Sequence, residues 1–410
     1  MRTSTPSKAD RLTWEPDVDQ DEDRIEKGLG PIGVIDIDSE SQASSSPRAS
    51  LNDAKSSNSP FYHRGLLGYV VRFVRYLTLV LLNEKSPLQF VGIFLLNLLP
   101  VAVWISTFKE ARLIPASIRP YIHVDLLPAW EKYLYETPTG LIAQSAVLAG
   151  IYYAVIRTPW ALTAASLPFI LNILNFFAQD LNRTKDLFAW ISYGVVHFIS
   201  PYLTAVWLWF FAPPGVIGVY GWAFGFQNLA GVFTHLSFPN ASPWYQSDAY
   251  GYGTPPKPGN YSMPGSAAGL VRVDAVLGTH IYAHAFRASP LVFGAFPSLH
   301  SGFAVMNFFF LARYSPKRGK YLCGAFVFWQ WWSTIYLLHH WRIDLIGGAL
   351  YSTAAFLAFL PSLKKYESRS RHRAWCGWER LWYYDEWTGY VTPGRYRPVP
   401  AESGSEEELT

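Results

Sequence analysis

Residues 294–348 read GAFPSLHSGFAVMNFFFLARYSPKRGKYLCGAFVFWQWWSTIYLLHHWRIDLIGG. Two apolar runs, 298–314 and 321–339, lie either side of a 313–320 loop that carries Arg313, Lys317, Arg318 and Lys320 and no acid. Apolar runs of near-spanning length joined by a short basic loop predict a helical hairpin in a bilayer, with the cationic turn on the cytosolic side. The other end of the hairpin carries the reactive groups. His300 stands near the start of the first run, His340 just past the end of the second, and Asp344 at the start of a further apolar run, 344–361. His340 and Asp344 are four apart, so on one helix they share a face, and the carboxylate can fix the tautomer and orientation of the imidazole. A single histidine beside a span is usually an interface residue. Three ionisable groups at one end of the same hairpin mark a functional site, because such groups are costly at membrane depth.

Working outward, half of the residues are hydrophobic, 17% are aromatic and only 16% are charged. That composition is too apolar for an ordinary soluble chain and predicts an all-α, polytopic membrane helix bundle. About eight apolar segments are expected, at 87–107, 141–158, 160–178, 188–212, 216–236, 298–314, 321–339 and 344–361. The 61–83 stretch interleaves Arg64, Arg72 and Arg75 with apolar side chains, as a helix lying on the cytosolic membrane surface does. Residues 1–60 are polar, acidic and Ser-rich, without the apolar core of a signal peptide, and are expected to be a disordered cytosolic tail. Residues 363–410 open with Lys364, Lys365, Arg369, Arg371 and Arg373 and form the other cytosolic tail, leaving 61–362 as the membrane-embedded domain. The long 237–297 loop, sparsely charged and rich in Gly, Pro and Tyr, then falls on the opposite side with His300, His340 and Asp344. A net charge of +4 gives no reason to invoke nucleic acid, and two cysteines, Cys323 and Cys376, imply no disulfide framework. Asn172, Asn175, Gln227 and Asn228 within apolar runs read as interhelical hydrogen bonders.

The residues carry a specific resemblance. Pro297-Ser298-Leu299-His300 resembles the second motif of the type 2 phosphatidic acid phosphatase superfamily, Pro-Ser-Gly-His, with Leu299 in the Gly position. Ser333 through His340 to Asp344 resembles its third motif, Ser-Arg-x5-His-x3-Asp, with Thr334 in the Arg position. Within that superfamily the wording FGAFPSLHSG, the doubled His339-His340 and the stretch FPNASPWY at 238–245 are similar to the fungal inositol phosphorylceramide synthases, over about residues 64–362.

The resemblance implies a membrane phosphotransferase whose 61–362 segment is the catalytic domain. It implies phosphatidylinositol and ceramide as substrates, and a multi-pass protein of the Golgi membrane with a lumenal site. It also implies work with a small regulatory membrane subunit. By motif position His340 becomes the nucleophile that forms a phosphohistidine, Asp344 its orienting partner, and His300 the acid and then the base. Ser298, Ser333 and the helix start near Pro297 become phosphate-binding groups. No metal and no cofactor are expected. The superfamily's phosphatases carry a Lys and Arg motif ahead of the second motif and an Arg in the third; here FPNASPWY and Thr334 stand instead. A site with fewer cations suits a singly charged diester better than a doubly charged monoester. Arg183 and Lys185 in NRTKD, or Arg272 and Arg287 in the long loop, are the candidate compensating cations. Two other readings stay open on sequence alone: a lipid phosphate phosphatase, and a membrane scaffold that kept the fold without turnover.

Overall fold

The computed structural model describes residues 87–370 apart from Thr158, Pro214, Pro255, Pro256 and Pro316, together with Val70 and the stretches 383–385 and 390–392. The expected 1–60 tail, all but Val70 of the expected 61–83 surface helix, and most of the 363–410 tail lie outside the described residues.

The architecture is helical, as expected. In chain order the helices are α1 Pro87–Glu110, α2 Leu126–Glu136, α3 Pro138–Ile156, α4 Leu167–Phe177, α5 Arg183–Trp190, α6 His197–Phe211, α7 Val216–Ser237, α8 Leu270–Leu277, α9 Ile281–Arg287, α10 Leu299–Arg313, α11 Lys317–Tyr336 and α12 Arg342–Ser370. Two three-residue strands, β1 Tyr383–Asp385 and β2 Tyr390–Thr392, pair antiparallel. Helix starts follow local capping chemistry. Thr137 accepts the Gly140 amide ahead of α3, with Pro138 at the first position where its missing N–H is harmless. Asn182 accepts the Lys185 amide at 2.9 Å ahead of α5.

All eight apolar runs are largely helical where described, but among the described residues five helical stretches are long and apolar enough to cross a bilayer: Pro87–Leu113, Pro138–Val155, Arg183–Phe211, Val216–Ser237 and Arg342–Glu367. The chain is therefore a multi-pass membrane protein. Arg157, in the left-handed region (φ 53), ends α3, and the 160–178 run is divided between a 3-10 turn, Pro159–Ser166, and α4. The helix over 299–313 has only 15 residues, and α11 opens on Lys317, Arg318 and Lys320. No residue of α10 is exposed and the last turns of α11 are buried, where neighbouring protein replaces lipid and a full apolar crossing is not required, while Tyr321 and Leu322 at the start of α11 are exposed. The same division separates the longer helices: 61% of the α7 span is buried against 6% of α1, whose Leu88, Phe94 and Leu95 face outward.

Small residues and hydroxyls set how closely the central helices approach. Trp331 on α11 donates to Ser301 Oγ at 2.8 Å, Ser301 Oγ donates to the Leu345 carbonyl at 2.6 Å, and Ser352 Oγ donates to the Gly302 carbonyl at 2.8 Å. These bonds join α10, α11 and α12 at the end that carries His300. Of the four amide side chains read as interhelical, Asn172 alone is so among the described contacts, donating to the Tyr135 carbonyl at 3.1 Å. Asn228 bonds within its own helix at 2.7 Å, and Asn175 accepts from Gln179 one turn on. Gln227 has no hydrogen-bond partner among the described residues. Over the His300 end the 237–297 segment folds back, and parallel bridges join His123 to Asn240 and Asn240 to Gly294. Trp244, Tyr245, Phe293 and Ile122 form an apolar core beneath it.

Candidate active site

The site is built where α10 and α12 begin side by side. Ser298, wholly buried, caps α10 by accepting the Ser301 amide at 3.2 Å, while its own amide donates to the Asp344 carbonyl at 3.0 Å. The sequence reading placed His340 and Asp344 on one helical face. Instead α11 ends at Tyr336, α12 begins at Arg342, and His340 stands in the turn between them. That turn is strained: Leu338 adopts φ 59, a region that non-glycine residues avoid. It is held there by neighbours, since the Trp244 amide donates to the Leu338 carbonyl at 3.0 Å and the Trp341 indole donates to the Ala241 carbonyl at 2.9 Å. Asp344 lies in the first turn of α12, and its Oδ2 accepts the Trp341 amide at 2.8 Å.

His300, His340 and Asp344 are brought together. His340 Nδ1 lies 3.1 Å from the Ala295 carbonyl and 3.5 Å from Asp344 Oδ2. Facing two acceptors, Nδ1 carries the ring proton, which leaves a lone pair on Nε2; this tautomer follows from the bonding network. His300 Nδ1 sits 3.0 Å from that Nε2. The arrangement offers an oriented imidazole nucleophile and a second imidazole placed to move a proton at the same point.

Further aromatic groups enclose the pair. Tyr193 stacks on His300 at 4.4 Å and on His339 at 4.9 Å between ring centroids, and the His197 ring lies 4.7 Å from His300. Both come from one continuous helical stretch, α5 to α6, through a π-helical turn at Ile191–Val196. Such turns are frequent at functional sites and leave no mark in a hydropathy pattern. His235, near the end of α7, has its Nε2 2.9 Å from the Pro297 carbonyl. Sequence reasoning passed over Tyr193, His197 and His235, each of which looks like an isolated polar residue in an apolar run.

The other expected site residues fall elsewhere. Ser333 is wholly buried and donates to the Trp329 carbonyl of its own helix at 2.8 Å, and Thr334 likewise donates to the Trp331 carbonyl at 2.8 Å. Arg183 is exposed at the start of α5, and Lys185 donates to the carbonyls of Phe177 and Asp180, each at 3.1 Å. Arg272 on α8 pairs with Asp186 at 2.8 Å and also bonds Tyr250. Arg287 is exposed and lines a cavity of about 290 Å³ with Arg119 and His235. None of these six side chains contacts His300, His340 or Asp344 among the described interactions. Among the described residues no group of three His, Cys, Asp or Glu side chains is arranged to hold a metal ion.

The PAP2 superfamily profile matches residues 160–358, which include the whole constellation. The inositol phosphorylceramide synthase of Candida albicans is 33% identical over 314 residues, 77% of this chain and 58% of that protein. The inositol phosphorylceramide synthase catalytic subunit aur1 of Schizosaccharomyces pombe is 34% identical over 257 residues, 63% of this chain and 51% of that one. Inositolphosphotransferase 1 of Saccharomyces cerevisiae is 36% identical over 309 residues, 60% of this chain and 58% of that one. The chain thus spans between about half and three-fifths of the length of these relatives. No solved structure matches it.

Proposed function

Because residues 160–358 carry a PAP2 superfamily domain and curated fungal inositol phosphorylceramide synthases are homologues of this chain, we propose that it is a lipid phosphotransferase. It moves inositol phosphate from phosphatidylinositol to the ceramide hydroxyl and releases diacylglycerol. The observation that carries this reading is the 3.0 Å approach of His300 Nδ1 to the lone pair of His340 Nε2, with the other nitrogen of His340 held by Ala295 and Asp344.

In the first half-reaction the Nε2–phosphorus bond forms as the bond from phosphorus to the glycerol oxygen breaks, and His300 delivers a proton to that oxygen. Asp344 stabilises the positive charge that the phosphorylated ring acquires. In the second, the ceramide oxygen attacks phosphorus, its proton passes to His300, and the nitrogen–phosphorus bond breaks. The backbone amides at the start of α10 serve the phosphoryl oxygens, with Ser298 shaping that turn. Lys185 and Arg272 are already committed to protein partners, which supports a singly charged diester as donor. The proposal includes residues 61–362 as the catalytic domain, a lumenal site with both tails cytosolic, a Golgi membrane setting and a small regulatory membrane subunit.

The test is to incubate detergent-purified protein with fluorescent ceramide, with and without phosphatidylinositol, and identify the products. A phosphatidylinositol-dependent inositol phosphorylceramide band is expected. Release of phosphate from phosphatidic acid, with no ceramide-dependent release of diacylglycerol from phosphatidylinositol, would replace this reading with a lipid phosphate phosphatase.

A further inference from the structure

Between His340 and Asp344 the chain turns into α12, and the first turn of any helix leaves backbone amides without intrahelical acceptors. Here two carboxylates take them. Asp344 Oδ2 accepts the Trp341 amide at 2.8 Å, and Glu131, from α2 more than two hundred residues earlier, takes the next two. Glu131 Oε1 accepts the Arg342 amide at 3.1 Å and Oε2 accepts the Ile343 amide at 3.4 Å. Glu131 is 8% exposed, and an isolated carboxylate buried to that degree is costly. Arg342 offsets that cost: its Nε donates to Glu131 Oε1 at 2.7 Å, Nη1 bonds Asn172 Oδ1, and the guanidinium lies 4.4 Å above the Tyr135 ring.

The amides that Glu131 holds belong to the peptide units joining His340 to Asp344. We propose that Glu131 is a positioning residue for the reacting pair, fixing the first turn of α12 so that Asp344 stays against His340. At 3.5 Å the His340–Asp344 contact is already long for a hydrogen bond, so a small outward movement of this turn breaks it. The pairing with Arg342 has a second effect. It neutralises a cation two residues from a ring that becomes positively charged on phosphorylation, so Glu131 keeps the carboxylate of Asp344 from being claimed by Arg342 instead of His340. The inference rests on His340 as the reacting imidazole.

The test compares Glu131→Gln, Glu131→Ala and the double variant E131Q/R342Q in the full-length protein, with kcat and KM measured per folded molecule after size-exclusion chromatography in detergent. The assay follows whichever reaction the wild type catalyses, transfer to ceramide or hydrolysis of phosphatidic acid. Failure of the substrate assignment is then read from the wild type, and failure of this inference from the variants. Misplacing a reacting group by about 1 Å costs on the order of a hundredfold in rate, so kcat is expected to fall roughly tenfold in Glu131→Gln and up to about a hundredfold in Glu131→Ala, with KM for the donor lipid within about twofold. The double variant removes both buried charges together, which folds are known to tolerate, yet lacks the carboxylate on the amides; its kcat is expected to stay low. Should Glu131→Ala not fold, the double variant decides. A folded Glu131 variant with kcat within about twofold of wild type, or a loss carried by KM alone, overturns the proposal.

Discussion

Replacing Gly348 by alanine adds one methyl group, and the structure states what it meets. The new Cβ would lie 2.2 Å from the Ser298 carbonyl oxygen, 2.8 Å from Ser301 Cβ and 3.0 Å from the Gly302 nitrogen. All three atoms belong to the first turn of α10, and two are backbone, so no side-chain rotation relieves the clash. Carbon and carbonyl oxygen come to rest about 3.4 Å apart, so α12 must retreat by about 1.2 Å, the difference between 3.4 and the observed 2.2 Å. That retreat stretches the 3.0 Å bond from the Ser298 amide to the Asp344 carbonyl beyond hydrogen-bond range. It also widens the 3.0 Å approach of His300 to His340. Misplacement on this scale costs on the order of a hundredfold in turnover, about 2.7 kcal/mol of barrier, while overpacking a core costs about 1–3 kcal/mol of stability. Gly150→Ala is the control, since nothing lies within 4 Å of a methyl added there. Both variants are assayed for ceramide-dependent diacylglycerol release per molecule eluting at the folded position, alongside thermal unfolding in detergent. Retention of more than about a third of wild-type turnover by Gly348→Ala, or an equal loss in Gly150→Ala, would refute the argument from close helix approach.

His340→Ala is expected to abolish turnover with near-normal membrane insertion, whereas Asp344→Asn, which leaves the ring in place but misorients it, should retain measurable activity; steady-state rates on matched protein amounts check the order. Thr334→Arg puts a charge at a position with 0% exposure, whose hydroxyl is bonded within α11, so it should lower the unfolding temperature and yield no gain in phosphatidic acid hydrolysis, read by inorganic phosphate release. Protease treatment of sealed microsomes should remove epitope tags from both ends of the chain; a protected N-terminal tag would show an odd number of crossings.

Hydropathy and spacing carried much of this protein. The apolar runs are helices because a backbone in lipid must satisfy its own hydrogen bonds, and that constraint is local to each run. A helix start was expected near Pro297, and α10 begins there, with Ser298 as its cap. The basic 313–320 loop separated two helices whose far ends carry His300 and His340, which meet. The resemblance in the two motifs pointed to the same residues and to a superfamily whose profile covers them. What lay beyond the sequence has a common physical cause, since each case depends on contacts between distant segments. The 160–178 run opens as a 3-10 turn, Pro159–Ser166, before α4, and α10 is short because protein, not lipid, surrounds it. His340 lies in a strained turn off the helix because the Trp244 and Trp341 contacts hold it there. Lys185 and Arg272 looked like free cations, but nearby carbonyls and Asp186 claim them. Glu131, one acid among several in a charge-balanced segment, reaches the start of α12 only because folding places α2 against it. Residue type and local periodicity determined which segments become helices and which groups can react. Close packing alone decided which of those groups face one another, because an ångström-scale approach such as that of Gly348 to Ser298 is set by two surfaces distant in the chain and is encoded in neither by itself.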